Sequence, residues 1–351
     1  MLVIIRNATA LVATGTPKEK SGQVLGTLAT GSVTGTLLGP LLGGISASAF
    51  GYRPTFFITG IILLGNLTGG ISMILMIFIF VKLFILFEHT KQTLHDPIIA
   101  SVSPTFTMSL MVICTYFVSY ESIAPIVKFI WLCAVIFQVI LVFYFNYHHV
   151  IKADLSIEAI YPSWFIIYVG FGVITVTAGN FFPLIGKIFF WISLICYAFL
   201  LPIIIKRVFF VRNMAHPTRP LITIVAAPGS LCLTGYLKNF AEPNFYLVVA
   251  LFALSQVLYF VVLSMLPRLF KLRFYPSYAA FTFPLVISAT AIFTTVHYFN
   301  SLGIYSSVLD FLKVAECLFA SVVVFYVLAH YVRFLIKEHS KHGKFVSKKI
   351  A

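Results

Sequence analysis

Charge is scarce in this chain: only 10% of its 351 residues are Asp, Glu, Lys or Arg, against 60% hydrophobic residues. That shortage excludes a water-soluble globular surface and leaves an integral membrane protein. Acidic residues number 10 in all, and no His, Asp or Glu cluster sits inside an apolar stretch, so a membrane-embedded enzyme has nothing to work with. The five cysteines all fall within apolar stretches without CxxC spacing, which removes a disulfide frame and a thiolate metal centre. A Ser, His and Asp set, a metal-ligand spacing and a phosphate-cradling glycine loop are likewise missing, so no metal and no cofactor is expected. The first twenty residues have a charge early in a short apolar run and no small-residue cleavage site, so a cleavable signal peptide is not expected.

Apolar segments of about 20 residues, the length that crosses about 30 Å of hydrocarbon as a helix, are plentiful. Ten are expected: 24–50, 56–87, 98–119, 123–147, 161–180, 183–210, 221–237, 245–266, 276–299 and 308–332. Ten-residue alternating strands are not found, which excludes a barrel. The formal charge of +14 follows topology. With the N-terminus inside, inner loops and tails carry the lysines and arginines from Lys18 to Lys349, and outer loops hold only Arg53 and Lys238. This asymmetry places both termini in the cytoplasm of a multi-pass cell-membrane protein. It calls for a lipid bilayer and not for nucleic acid.

The segments alternate in texture. Pro104, Pro162, Pro228 and Pro284 occupy the third, fifth, seventh and ninth, at intervals of 58, 66 and 56 positions. A mid-helix proline frees a carbonyl that neighbouring helices or cavity water must satisfy, so it reports protein interior. These odd segments also carry small and hydroxyl residues, whereas even ones are Phe, Leu, Ile and Val runs suited to lipid. Five helical hairpins follow, with odd helices around a central pore and even helices outside. A solid bundle with kinked inner helices is the alternative. Pore-lining candidates are Ser103, Thr105, Phe106, Thr107, Thr175, Thr177, Ser230, Thr234, Thr282, Ser288 and Thr290, and the four prolines are the expected kinks. Lys128 and Lys187 lie where snorkelling to the interface explains them, and His330 reads as interfacial. Asp310, Lys313 and Glu316 recur every three residues on the tenth segment. A structural charge pair of Lys313 with Glu316, or with Asp310, is expected.

From about residue 64 onward, "LLGNLTGG", "HDPIIASVSPTFTMSLM", "IYPSWFIIYVGFGVITVTAGN", "RPLITIVAAPGSLCLTGYL", "FYPSYAAFTFPLVISATAIF" and "FLKVAECLFASVVVFYVLAHYV" resemble, in order and spacing, the tellurite-resistance/dicarboxylate transporter family. That family includes TehA, malate permeases, sulfite exporters and the slow anion channel of guard cells. The resemblance implies an all-α fold of ten helices around a pore, small anions as cargo and a homotrimer. It also implies a phenylalanine gate from the ninth helix: Phe283, immediately before Pro284, with Phe281 as the alternative one helical step away.

The beginning of the chain differs. Gly35, Gly39, Pro40, Gly43 and Gly44 resemble the antiporter motif of major facilitator drug exporters, in their fifth helix and the start of the sixth. The expected organisation is therefore a fragment over 1–63 with one full membrane helix at 24–50, a transporter domain over 64–335, and a basic tail over 336–351. A chimeric frame joined near Leu63 to Gly65 is one account of this; a sequence artefact and a divergent first hairpin are the others. Pro40 lies 64 positions before Pro104, close to the hairpin spacing, so this helix fits the first inner position. Anion permeation is the preferred activity, against a nonconducting remnant or a drug/proton antiporter fragment.

Overall fold

The computed structural model describes residues 87–350 except 154–155, together with positions 76, 77, 80, 81 and 85. The first segment, its glycine motif from Gly35 to Gly44, the join near Leu63 and most of the second segment lie outside the described residues. From the third segment on, eight of the expected ten are present. Seven are long and apolar enough to cross a membrane: Pro97–Phe117, Ala124–Ile151, Pro183–Val211, His216–Asn239, Phe245–Leu269, Pro276–Ser301 and Ser307–Phe334. The eighth, the fifth segment, is two short helices, Trp164–Tyr168 and Phe171–Ala178, joined by a turn at Val169 and Gly170. No strand occurs among the described residues.

Odd and even segments divide as their texture demands. The buried share is 67%, 94% and 78% in the third, seventh and ninth segments, against 39%, 28%, 39% and 28% in the fourth, sixth, eighth and tenth. The outer helices turn Phe143, Phe199, Phe210, Tyr246 and Phe311 outward, each more than 70% exposed, because in lipid those side chains gain nothing from hiding.

Each described inner segment is broken within its length. The third passes from Pro97–Val102 through Ser103 and Pro104 into Thr105–Phe117. The seventh and ninth begin as 3-10 helices, His216–Ala226 and Pro276–Phe281, and continue as α-helices Ala227–Asn239 and Thr282–Ser301. Pro228 and Pro284 thus sit in the first turn of an α-helix, where the missing N–H has no partner to lose. Pro162 departs from expectation. It lies at the entrance of the fifth segment, and the break there comes at Val169 and Gly170. All four prolines are buried.

Inner helices approach closely at a glycine seam. A Cβ on Gly172 of the fifth segment would lie 2.7 Å from Leu231 Cγ, and one on Gly235 of the seventh would lie 2.6 Å from Thr175 Cγ2. The fourth helix is clasped to the fifth by Trp131, fully buried, whose Nε1 donates to Thr177 Oγ1 at 3.0 Å and whose ring stacks on Phe181 at 5.0 Å. At the end of the sixth segment Arg207 is 1% exposed and donates to the carbonyls of Glu158 and Asn213, fixing the connections before the fifth and seventh segments. The tenth helix continues without interruption over Ser307–Ile350, through the segment read as a basic tail.

Candidate functional site: a cavity among the inner helices

The four described inner segments enclose a cavity of about 100 Å³. Ile98, Thr105 and Met108 line it from the third, Phe165 and Gly170 from the fifth, Leu221 and Leu231 from the seventh, and Ser277 and Phe283 from the ninth. No described residue of an even-numbered segment lines it. Its position follows from the breaks: Thr105, Gly170, Ala227, Pro228 and Pro284 all face it, so the α-helical second halves of these segments begin at its wall. Helix starts carry a partial positive charge of about half a unit, and here their first N–H groups are bonded to the preceding turns, Ala227 N to Ile224 O and Thr282 N to Ala279 O. Apart from Thr105, Thr218 and Ser277 the side chains of the wall are apolar.

The two gate candidates separate here. Phe283 is half-buried and lines the cavity. Phe281 is fully buried on the other side of the helix, against Tyr278 at 4.8 Å and Phe270 at 5.2 Å between ring centres. It belongs to the core that joins the eighth, ninth and tenth segments, because two residues along a helix turn a side chain by about 200°.

Most hydroxyls expected at the pore are elsewhere. Thr105 lines the cavity, and so do Thr218 and Ser277, which composition alone did not single out. Ser103 donates to Ala100 O at 2.8 Å and Thr282 to Ala279 O at 2.7 Å, one turn back. Thr234 and Thr290 do the same to Ser230 O and Val286 O. Thr107 donates to Pro104 O and to Gln138 of the fourth helix. Thr175 packs at the Gly235 seam and Thr177 holds Trp131. Ser230 and Ser288 meet at 3.1 Å, and Ser288 lies 3.4 Å from Ala226 O. A hydroxyl in a dry helix is satisfied by a carbonyl three or four residues back, so hydroxyl content reports helix contact as readily as a wet lumen. Phe106 packs with Met76 and Ile113, away from the cavity.

Of the two pairings expected for Lys313, the one with Asp310 is present and the one with Glu316 is not. Lys313 bonds Asp310 at 2.7 Å, and this is the only ion pair among the described residues. Glu316 is 3% exposed, forms no ion pair with a described residue and has the Gln256 amide of the eighth helix as its polar neighbour.

A second cavity, about 570 Å³, lies at the opposite ends of the seventh and ninth helices. Lys238, Phe240 and Glu242 bound it on one side, and Phe293, Thr294, His297 and Ser301 on the other. At about 100° per residue, positions 287, 290, 294, 297 and 301 stay within about 40° of Phe283, and 238 lies within about 20° of 231. Thr290 and Thr294 are half-buried and His297 and Ser301 exposed on this stripe, while Ile287 is 1% exposed. One face of each helix therefore looks into both cavities. Packed side chains separate them over about 9 Å along the seventh helix and about 13 Å along the ninth, at about 1.5 Å per residue. Helical phase from Phe283 is the signal that would have found Thr294, His297 and Ser301 in the sequence.

Among the described residues no group of three or more His, Cys, Asp or Glu is placed to hold a metal ion.

Comparison with known proteins gives two results. Multidrug resistance protein MdtG of Salmonella newport and of Salmonella heidelberg is 43% identical to this chain over 125 residues. That stretch is 35% of this chain and 29% of the relative, so the chain spans less than a third of the length of these curated relatives. The family model described as "voltage-dependent anion channel" matches residues 23–335. That match covers most of the chain's length, and the chain belongs to the SLAC1 voltage-dependent anion channel family.

Proposed function

We propose that the chain conducts small anions along the inner faces of its odd helices, and that Phe283 with the packing beyond it closes the path in the conformation described. The observation that carries this reading is the first cavity: it is lined by every described inner segment and by no described residue of an outer one, and Phe283 is part of its wall. Helix starts at its wall supply weak, distributed attraction without a fixed cation, which lets an anion both enter and leave. C4-dicarboxylates, sulfite and tellurite-related oxyanions are the substrate classes, in a plasma-membrane homotrimer with cytoplasmic termini.

Phe283→Ala tests the gate. Removing the ring from a dry constriction is expected to raise anion flux in proteoliposomes at least tenfold, which corresponds to ~1.4 kcal/mol off the barrier. Unchanged flux, with the variant present in the membrane at wild-type level, removes Phe283 from the gate.

The partial likeness to MdtG supports a second reading, in which residues 1–63 derive from a drug antiporter and prevent a closed ring. Size analysis after detergent extraction separates the two: a defined trimer supports the channel, and a polydisperse aggregate supports the remnant.

A further inference from the structure

We infer that the second cavity is an anion-capture site at the mouth of the path, with Lys238 as its principal charge and a small dianion as its preferred occupant. This rests on the anion-conduction reading and names where the ion is held before it reaches the constriction.

The argument starts from Lys238. It occupies the face of the seventh helix that carries Leu231 into the first cavity, two turns further on. It is exposed and forms no ion pair with any described residue. An unpaired ammonium in a concave, partly desolvated site has field to spare for a ligand. Across the cavity stand His297, Thr294 and Ser301 of the ninth helix. Behind the two aromatic walls lie two further ammonium groups: Lys187 is 5.6 Å from the centre of the Phe240 ring, and Lys313 is 6.0 Å from that of Phe293. Opposing them are Glu242, which lines the cavity, and Asp310, which is already bonded to Lys313. The lining itself thus holds one lysine and one carboxylate, and with Lys313 bonded to Asp310 it is Lys187 behind Phe240 that leaves the surroundings with an excess of positive charge.

The walls are held in place before any ion arrives. Tyr298 donates its hydroxyl to Pro243 O at 3.0 Å, and Asn244 N donates to the Tyr236 hydroxyl at 2.8 Å, so the connection carrying Glu242 is pinned to both helices. A volume of about 570 Å³ admits a four-carbon dicarboxylate with water around it. The first cavity, at about 100 Å³, does not. The mouth therefore holds a hydrated dianion, and the constriction selects what passes.

Equilibrium dialysis of labelled succinate against the purified full chain, paired with succinate and chloride flux in proteoliposomes, tests the site. K238Q is expected to raise the succinate Kd about tenfold, and the half-saturating succinate concentration on that membrane face by a similar factor, with chloride shifted less. E242Q is expected to move both values the opposite way. Both side chains are exposed, so thermal unfolding should stay at the wild-type value. Succinate binding that K238Q leaves unchanged, charge variants that shift in the same direction, or wild-type chain that binds no succinate overturns the site. Binding that weakens with K238Q in a chain without flux removes the conduction reading and leaves the capture site standing.

Discussion

Placing a methyl group on Gly172 strikes the fifth and seventh segments where they touch. The new Cβ would stand 2.7 Å from Leu231 Cγ, 2.9 Å from its Cδ2 and 3.3 Å from Ser193 Oγ. Carbon–carbon contact is comfortable at about 3.5–4.0 Å, so the closest approach is short by roughly 1 Å. Ser193 cannot withdraw freely, since its hydroxyl donates to Val169 O at 3.1 Å. Either the helices part or Leu231 swings away. Overpacking of this kind costs about 1–3 kcal/mol, and Leu231 has one open direction, into the cavity it lines. Gly172→Ala is therefore expected to lower thermal stability in detergent and to reduce anion flux together. Leu231→Ala deletes both clashing atoms. Alone it costs about 2–5 kcal/mol as a buried truncation, yet in the double variant it relieves the strain, so the pair should be less destabilised than the sum by about 1–3 kcal/mol. Four proteins, their unfolding midpoints and their flux complete the cycle. Strict additivity, or a Gly172→Ala protein that behaves as wild type in both assays, refutes the seam.

Thr177→Val removes the acceptor of the Trp131 indole while keeping the shape of the site; a loss of about 1–3 kcal/mol is expected for the stranded N–H, with flux unchanged, and a loss below about 0.5 kcal/mol in chemical unfolding would contradict the clasp. Glu316→Gln should be at least as stable as the wild type, because the carboxyl is buried with no ion pair among the described residues and a buried charge costs several kcal/mol that an amide does not. A loss above about 2 kcal/mol in thermal unfolding would reveal a cationic partner.

Which helices lie inside was legible from two features together, buried proline and small hydroxyl residues, because both demand protein neighbours. Where each hydroxyl points was not. Thr105 faces the cavity and Thr107 faces Gln138, and composition treats them alike; only the break at Pro104 and the phase of the following helix tell them apart. The fifth segment reads as one span from hydropathy, which is blind to a turn that keeps every residue apolar. Lys313 stood three residues from an acid on each side. Side chains on a helix lean toward its N-terminus, and that lean hands the lysine to Asp310. Phase counting from Phe283 was available from the start and would have reached His297 and Ser301, but it needs one pore-facing residue fixed first, and the choice between Phe281 and Phe283 is the step that sequence left open.

The short stretch between the two cavities has an electrical consequence. On the proposed path, water in the two cavities would carry the potential of the solutions inward, so that a membrane voltage otherwise spread over about 30 Å of hydrocarbon would fall mainly across about 9–13 Å of packed side chains. The local field is then two to three times steeper than in the surrounding bilayer. An elementary charge crossing that stretch would exchange nearly the whole of the ~2.3 kcal/mol that each 100 mV supplies.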